Sequence, residues 1–516
     1  MSSPTPLVYP EKIDSAVLKI AGVVVLGAIM SILDITVVNV ALPTFQSTFA
    51  SPDAPLAYST VAWTVTAYTL ALATVIPLTG WAADRFGTKR LYLMALVLFT
   101  AGSALCAMAS SINMLISFRV LQGLGGGMLM PLGMTIMTKA AGPARMGRLM
   151  AILGVPMLLG PILGPIFGGW LIENASWHWI FLINVPIGAV AVLYAWWALP
   201  RDNPQPSESL DILGVVLMSP GLALFLFGIS SIPQKGTMNA PKVYVTMTIG
   251  AALIGLFVWH AFRPAHPLLD LRLFRNRNLT VATVTMFLFA AAFFGGLLLV
   301  PTYFQQVRGE STLHAGLLVA PQGLGAMVTM PIAGALVDRI PVGRIAPFGL
   351  LLIIGGMFGL TQISSTTPYL TLIAVLFVMG LGMGATMMPI MTSALKTLTS
   401  HEVARGSTLL NIVQQIASSV GVAIMSVLLT NHLKDASLAL PAIATWRDPG
   451  LVEKLGGAPA VAQGLAQAAE AFASTYWVAA FMVMLTLVPA LFLPRSHEES
   501  HLLDDLDPGA PTVIVH

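Results

Sequence analysis

The sequence predicts an all-α polytopic membrane protein with fourteen transmembrane helices. Three observations carry that expectation. Of 516 residues, 56% are hydrophobic and 9% are charged, with a mean hydropathy of +0.83, whereas a soluble domain carries about 25% charged residues. The chain divides into apolar segments long enough for a helix rising ~1.5 Å per residue to cross a ~30 Å hydrocarbon layer. Lys and Arg alternate in density between successive loops; with both termini placed inside, they favour the cytoplasmic loops by roughly three to one. Backbone groups in lipid must bond internally, so the spans are helices. The formal net charge of +3 is too small to point to nucleic acid. A single cysteine, Cys106, excludes an internal disulfide and a multi-cysteine metal site.

Residues 1–16 are polar and read as a cytoplasmic N-terminus. The first span, 17–42, is too long for a signal-peptide core and lacks a small-residue cleavage site after it, so it is expected to stay uncleaved. It carries Asp34 about 25 Å along the helix. A charge there costs ~2.5–3.5 kcal/mol on insertion scales, which makes it a functional candidate by default. Spans at 59–79, 91–110, 114–138, 147–172 and 178–199 complete a first unit, 17–199. An insertion, 200–278, holds two further spans, 211–231 and 243–263, between basic loops. Those two carry no intramembrane charge and are expected at a peripheral position. Spans at 279–305, 314–337, 345–363, 369–395, 406–430 and 474–493 form a second unit, 279–495. It includes an external loop, 431–473, of which 460–472 is expected to lie as a short interfacial helix. The tail, 496–516, is acidic (Glu498, Glu499, Asp504, Asp505, Asp507) and reads as a solvated, disordered cytoplasmic end.

An internal repeat links the two units. GWAADRFGTKR (Gly80 to Arg90) follows the second span, and GALVDRIPVGR (Gly334 to Arg344) follows the tenth. Both show glycine, three residues, Asp-Arg and a basic end. Related halves of this kind place a substrate site near mid-membrane between them. Glycines such as Gly80 and Gly87 allow tight turns and close approach. Asp84 is expected to accept hydrogen bonds at a helix start, with Arg85, Lys89 and Arg90 toward the cytoplasm. The fourth span contains RVLQGLGGG, Arg119 to Gly127. No strand precedes GLGGG, so a dinucleotide fingerprint is disfavoured and close helix packing explains the glycines better. The fifth span contains GPILGPIFGG, with Gly160, Pro161, Gly164, Pro165, Gly168 and Gly169. Gly and Pro kink a helix and permit tight packing, which suits a seam between two moving halves.

These stretches resemble a known family. The Gly80–Arg90 loop is similar to the major facilitator superfamily signature, matching at Gly80, Ala83, Asp84, Arg85, Gly87 and Lys89 and departing at Ala82 and Thr88. Arg119 to Gly127 resembles the family's intramembrane arginine motif, linked there to proton transfer. GPILGPIFGG resembles the motif that marks exporters exchanging substrate for protons. With LDITVVNVALP (Leu33 to Pro43), WHWIFLINVPIG (Trp177 to Gly188) and the two additional helices, the chain is similar to the 14-helix drug/proton antiporters of the EmrB/QacA type. The resemblance implies a major facilitator fold: two six-helix bundles plus two additional central helices. It further implies a monomer in the cell's inner (plasma) membrane with both termini cytoplasmic, exporting amphiphilic drugs by alternating access in exchange for protons.

The charge inventory narrows the chemistry. Of 22 Asp and Glu, only Asp34 lies deep in a span, while Glu173 marks the outer end of the fifth. Arg119 is the one intramembrane base. Asp34 falls about 12 Å, and Arg119 about 8 Å, from the outer ends of their spans, so the two are expected in one layer. One reading is a permanent ion pair that only holds helices together. The other is exchange: Asp34 takes a proton from outside as cargo leaves, and loses it inside. No GxxxxGK[ST] phosphate loop is present, so no ATP and no other cofactor is expected. Candidates for the substrate cavity are Asn39, Trp63, Tyr68, Gln122, Tyr303, Gln305, Gln322, Asn411 and Gln414. The 27 methionines suit promiscuous apolar binding. A cationic or neutral amphiphile is the expected cargo. A dedicated exporter of an endogenous lipid, siderophore or antibiotic is the alternative, and uptake a further one. An enzyme is disfavoured: His178, His260, His266 and His314 are scattered, and no catalytic or metal constellation is visible.

Overall fold

In the computed structural model, residues 13–50, 58–141, 145–202, 209–235, 240–399, 402–446 and 448–496 are described. The polar residues 1–12 and the acidic stretch 497–516 lie outside them. The first helix, α1 (Ser15–Phe49), begins where Asp14 accepts a hydrogen bond from the Val17 N–H at 2.8 Å, an N-cap that satisfies one orphan amide. α2 (Tyr58–Phe86), α3 (Thr88–Ala107), α4 (Ile112–Ala141) and α5 (Met146–Asn174) follow. The sixth span is broken at Ile183 into α6 (Trp179–Leu182) and α7 (Asn184–Ala198). Pro186 explains the break, because its ring clashes with the carbonyl four residues back and it donates no hydrogen bond.

The insertion folds as a hairpin of α8 (Ile212–Lys235) and α9 (Pro241–Ala261). The second half comprises α10 (Arg277–Gln306), α11 (Thr312–Val337), α12 (Val342–Leu360), α13 (Tyr369–Lys396) and α14 (Val403–Asp435). Short α15 (Ala439–Ala444) and α16 (Leu451–Lys454) precede the last helix, α17 (Ala458–Ala490). Thirteen described helices, with α6 and α7 counted as one, are long and apolar enough to cross a membrane. The 29-residue α5 makes the fourteenth by length. No strand occurs among the described residues.

Packing repeats between the halves. α4 packs on α2 and α3, and α1 on α5; correspondingly α13 packs on α11 and α12, and α10 on α14. Glycines set the spacing. A Cβ on Gly125 would stand 2.5 Å from the Phe99 amide nitrogen, and one on Gly382 would stand 2.5 Å from the Gly349 carbonyl oxygen. GLGGG on α4 thus has a counterpart in GLGMG (Gly380–Gly384) on α13, and both let helix backbones touch.

One expectation needs correction here. Residues 460–472 do not form a separate interfacial helix, because α17 runs unbroken from Ala458. Gly464, Ala468, Ala469 and Phe472 are buried, and Gln467 accepts from the Leu438 N–H at 3.1 Å, so α15 gives the extension a packing partner outside the span. The insertion leaves much of α9 exposed, at Tyr244, Ile249, Leu256 and Trp259, and packs inward along its other face. Phe227 of α8 stacks on Trp63 of α2, centroids 5.4 Å apart. Ile229, Ile232 and Val243 cluster with Ala423 of α14, flanked by Val420 and Val427. The hairpin therefore touches both halves. Gly221, Gly228 and Gly250 bring α8 and α9 into close contact. At its base, Asp211 bonds His260 at 2.8 Å and accepts from the Gly214 and Leu268 N–H groups. Burial alone would raise the Asp211 carboxyl; these bonds outweigh it and hold it below the usual carboxylate value.

The glycine contacts give a direct test. Gly125→Val forces α3 from α4, and overpacking of this kind costs about 1–3 kcal/mol. A Cβ on Gly355 meets nothing within 4 Å. Thermal unfolding of the purified protein should show a lower midpoint for Gly125→Val, and an unchanged or higher one for Gly355→Ala.

Candidate transport site

Asp34 and Arg119 meet. The Arg119 Nη1 donates to Asp34 Oδ2 at 2.5 Å, and both side chains are fully enclosed. Gln122, one helical turn beyond Arg119, completes the arrangement: its amide donates to Asp34 Oδ1 at 2.8 Å, and its carbonyl oxygen accepts from Arg119 Nη1 at 2.8 Å. The Arg119 Nε donates to the Thr64 carbonyl oxygen at 3.0 Å. The Tyr68 ring lies under the guanidinium at 4.1 Å and that of Phe181 at 5.8 Å. The Tyr68 hydroxyl lies 3.3 Å from Ser31 Oγ. Buried charges are tolerated when paired and hydrogen-bonded, and both conditions are met here. One buried donor, Arg119 Nη2, has no partner among the described residues.

The glycines of α4 make this geometry possible. A Cβ on Gly123 would sit 2.5 Å from the Tyr68 carbonyl oxygen, and one on Gly126 would collide with the Tyr68 hydroxyl. Gly102 of α3 does the same for Gln122, whose backbone nitrogen would be 2.8 Å from an added Cβ. Motif glycines on α5 act on the other side. Cβ atoms on Gly160 and Gly164 would run into Ile32 and Thr36, and one on Gly168 would lie 3.1 Å from Val37. These contacts bracket Asp34 on α1. The motif glycines thus grip α1 within their own half, while α5 also packs along α11 of the other half, Gly154 meeting Met330 and Met388, as expected for a helix at the seam. Gly169 meets nothing within 4 Å. Pro161 and Pro165 lie within α5, with side chains outside the described ones.

The other cavity candidates scatter. Tyr68 and Gln122 belong to the Asp34 cluster. Asn39 is exposed and bonds the Ile35 carbonyl oxygen of its own helix at 2.9 Å. Trp63 is turned to the insertion. Tyr303 is buried and donates to the Ser364 carbonyl oxygen at 2.6 Å, while Gln305 is exposed. Gln322 is buried, with neither amide atom partnered among the described residues. Asn411 crosses between the halves to Met134 Sδ at 3.0 Å, and Gln414 is half-buried.

The repeated loops form a reciprocal clamp at one end, called here the basic end. Asp84 of α2 faces Arg405 of α14, with Arg405 Nε 3.6 Å from Asp84 Oδ2. Asp338, following α11, pairs with Arg148 of α5 at 3.2 Å and accepts from the Gly147 N–H at 2.8 Å. Burial pushes the Asp338 carboxyl above the usual range, against the pull of Gly147 and Arg148. A Cβ on Gly80 would stand 3.4 Å from the Ala404 carbonyl oxygen, and one on Gly334 2.6 Å from that of Gly147. Between them, the Thr135 and Ser407 hydroxyls lie 2.8 Å apart. Asp84 does not cap a helix start, as expected from sequence, because α2 continues through it to Phe86. Asp202 takes that role, accepting from the Lys89 and Arg90 N–H groups at 2.8 and 2.9 Å. Gly87, at φ 92°, supplies the left-handed turn between α2 and α3. The Lys89 Nζ donates to the Leu199 carbonyl oxygen at 2.6 Å. Thr64 and Asp202 carried no signal in the sequence; Phe181 lay within the WHWIFLINVPIG stretch, and Arg148 and Arg405 counted there only as basic residues of cytoplasmic loops.

Two helical bundles, an enclosed intramembrane ion pair and a paired clamp describe a secondary transporter of the major facilitator class. The Major Facilitator Superfamily model matches residues 24–422, and the chain belongs to that family. Its similarity is to the EmrB type. It is 46% identical to the multidrug resistance protein B homolog of Mycobacterium tuberculosis, over 96% of this chain and 94% of that one. It is 31% identical to the multidrug export protein EmrB of Haemophilus influenzae, over 79% of each. Among solved structures, the human organic anion transporter TETRAN shares the fold with a TM-score of 0.59 at 18% identity, over 92% of this chain and 100% of that one. The proton:xylose symporter XylE does so with a TM-score of 0.59 at 16% identity, over 94% and 98%.

The clamp predicts a specific loosening. Ser407 is fully buried between the halves. In a Ser407→Cys background, Asp338→Asn or Asp84→Asn should raise the rate of maleimide labelling by about ten-fold, a shift of ~1.4 kcal/mol in the opening equilibrium. Exchanging the partners (Asp84→Arg with Arg405→Asp) should bring the rate back down.

Proposed function

We propose that this protein is a proton-coupled exporter of amphiphilic, cationic or neutral compounds, working by alternating access in the inner (plasma) membrane with both termini cytoplasmic. The observation that carries the reading is the enclosed Asp34–Arg119–Gln122 network on α1 and α4. The names of the relatives, a multidrug resistance protein B homolog and the export protein EmrB, support the choice of cargo and direction. No nucleotide enters the scheme, and a monomer suffices, since each half supplies one side of the path.

In this reading the basic end is cytoplasmic and held closed by the clamp. Asp34 is enclosed within its own bundle, and cargo between the halves does not touch it here. Coupling then runs through the helices. A proton on Asp34 removes the counter-charge from Arg119 and leaves a buried guanidinium uncompensated, which is strongly unfavourable. α1 and α4 must shift to rehydrate or re-pair it, and α5, gripping α1 beside Asp34, carries the shift to the clamp at Gly147 and Arg148. Return of the pair expels the proton on the opposite side.

Energised efflux of a fluorescent lipophilic cation tests this. Asp34→Asn, present in the membrane at wild-type level, should lose gradient-driven efflux by about ten-fold or more. The purified wild type should release protons into weak buffer on adding cargo, and Asp34→Asn should not. A fully coupled Asp34→Asn protein would reduce the pair to a structural brace. Absence of efflux by the wild type would move the function to a dedicated endogenous cargo.

A further inference from the structure

The basic end carries a cavity that the transport reading does not use. It has a volume of about 610 Å³ and opens between the start of α10 and the chain leaving α17. Arg277 and Asn278 line one side, and Leu491 to Ser496 the other. Its two guanidiniums, Arg277 and Arg495, come from segments far apart in sequence and are both exposed. Among the described residues neither has an ion-pair partner, and no carboxylate lines the cavity. The positive character belongs to these side chains, since the Asn276 side-chain Oδ1 already accepts from the first amides of α10, those of Asn278 and Leu279.

The opposite wall is apolar. Leu491 and Phe492 are 52% and 59% exposed. They continue a stripe along α17 through Phe481, Leu485 and Val488, all exposed at helical spacing. That stripe is the face a spanning helix turns to lipid, and it runs into the cavity at the level where α10 begins and α17 ends. A small water-soluble anion would use the arginines and leave the wall bare. A molecule with a phosphate attached to acyl chains uses both.

We infer that this cavity binds an anionic phospholipid, its phosphate on Arg277 and Arg495 and its chains along α17. Guanidiniums hold phosphate through paired, charge-assisted hydrogen bonds, and basic recesses between helices at the membrane surface select acidic headgroups. A zwitterionic choline headgroup is disfavoured, because its ammonium would face the same two cations. The site stands independently of the export reading.

Native mass spectrometry of the purified full chain, with phosphatidylglycerol or phosphatidylcholine added in equal amounts, tests the assignment. The wild type should retain phosphatidylglycerol preferentially. The Arg277→Gln, Arg495→Gln double variant should retain about five-fold less, and the corresponding double lysine variant should recover part of it. Arg263→Gln, an exposed arginine stacked on Trp259 outside the cavity, should bind like wild type. Equal retention of both lipids by the wild type, or undiminished phosphatidylglycerol in the double glutamine variant, overturns the proposal. So does displacement of the lipid by millimolar inorganic phosphate, which would make the site one for a soluble anion. Binding that emerges only after deletion of residues 497–516 also overturns it, since the acidic tail would then be the occupant. Should the glutamine variants fail to purify, the lysine variant with added phosphate decides between the same outcomes.

Discussion

A carboxylate and a guanidinium sharing a fully enclosed interior set the terms for the rest of the first half. Each would be intolerable alone, and together they require every neighbouring polar group to be placed to match. Gln122 bonds to both, the Thr64 carbonyl takes the Nε proton, and Tyr68 presents its ring face to the cation. That precision needs three backbones within contact distance. Glycines at 102, 123 and 126 meet the need, because any Cβ there would displace the partners of Arg119 or Asp34. Gly102, Gly123 and Gly126 thus serve the charge pair as well as the close helix packing that the run shares with α13.

The halves share architecture but not chemistry. Gly380 meets the Gln322 carbonyl as Gly123 meets that of Tyr68, so the helices are laid out alike. Four residues before the glycine run, however, stands Leu376 in place of Arg119, and one before it Met379 in place of Gln122. Both are buried among apolar groups. Charge is confined to one bundle, while the clamp at the basic end draws on both equally, with an Asp from each half facing an Arg of the other.

What could be read from the sequence followed from how strongly each feature is forced. Spans were legible because lipid allows only helices, and Asp34 and Arg119 because an isolated charge in such a span has few uses. Their contact followed from depth alone. Gln122 was legible as a polar residue but not as a bridge, since a glutamine in a span does not announce its partner. Asp202 was invisible: it is an ordinary loop carboxylate until folding carries it to the start of α3. Asp84 was misplaced because a loop was expected where α2 still runs. The 460–472 stretch was misjudged because its helix is set by packing on α15, a contact that local pattern does not encode.

The hairpin of α8 and α9 leans on α2 with Phe227 and on α14 beside Ala423, away from the clamp. The flank of the molecule there is bridged, and the one at α5 and α11 is not. A compound dissolved in the bilayer therefore finds two unlike side walls, one buttressed by a glycine-packed strut and one closed only by α5 and α11. The strut also cannot remain seated on both neighbours if they change their separation. In the proposed cycle the contact would slip along the face of α8, and friction at that surface would become part of the turnover rate.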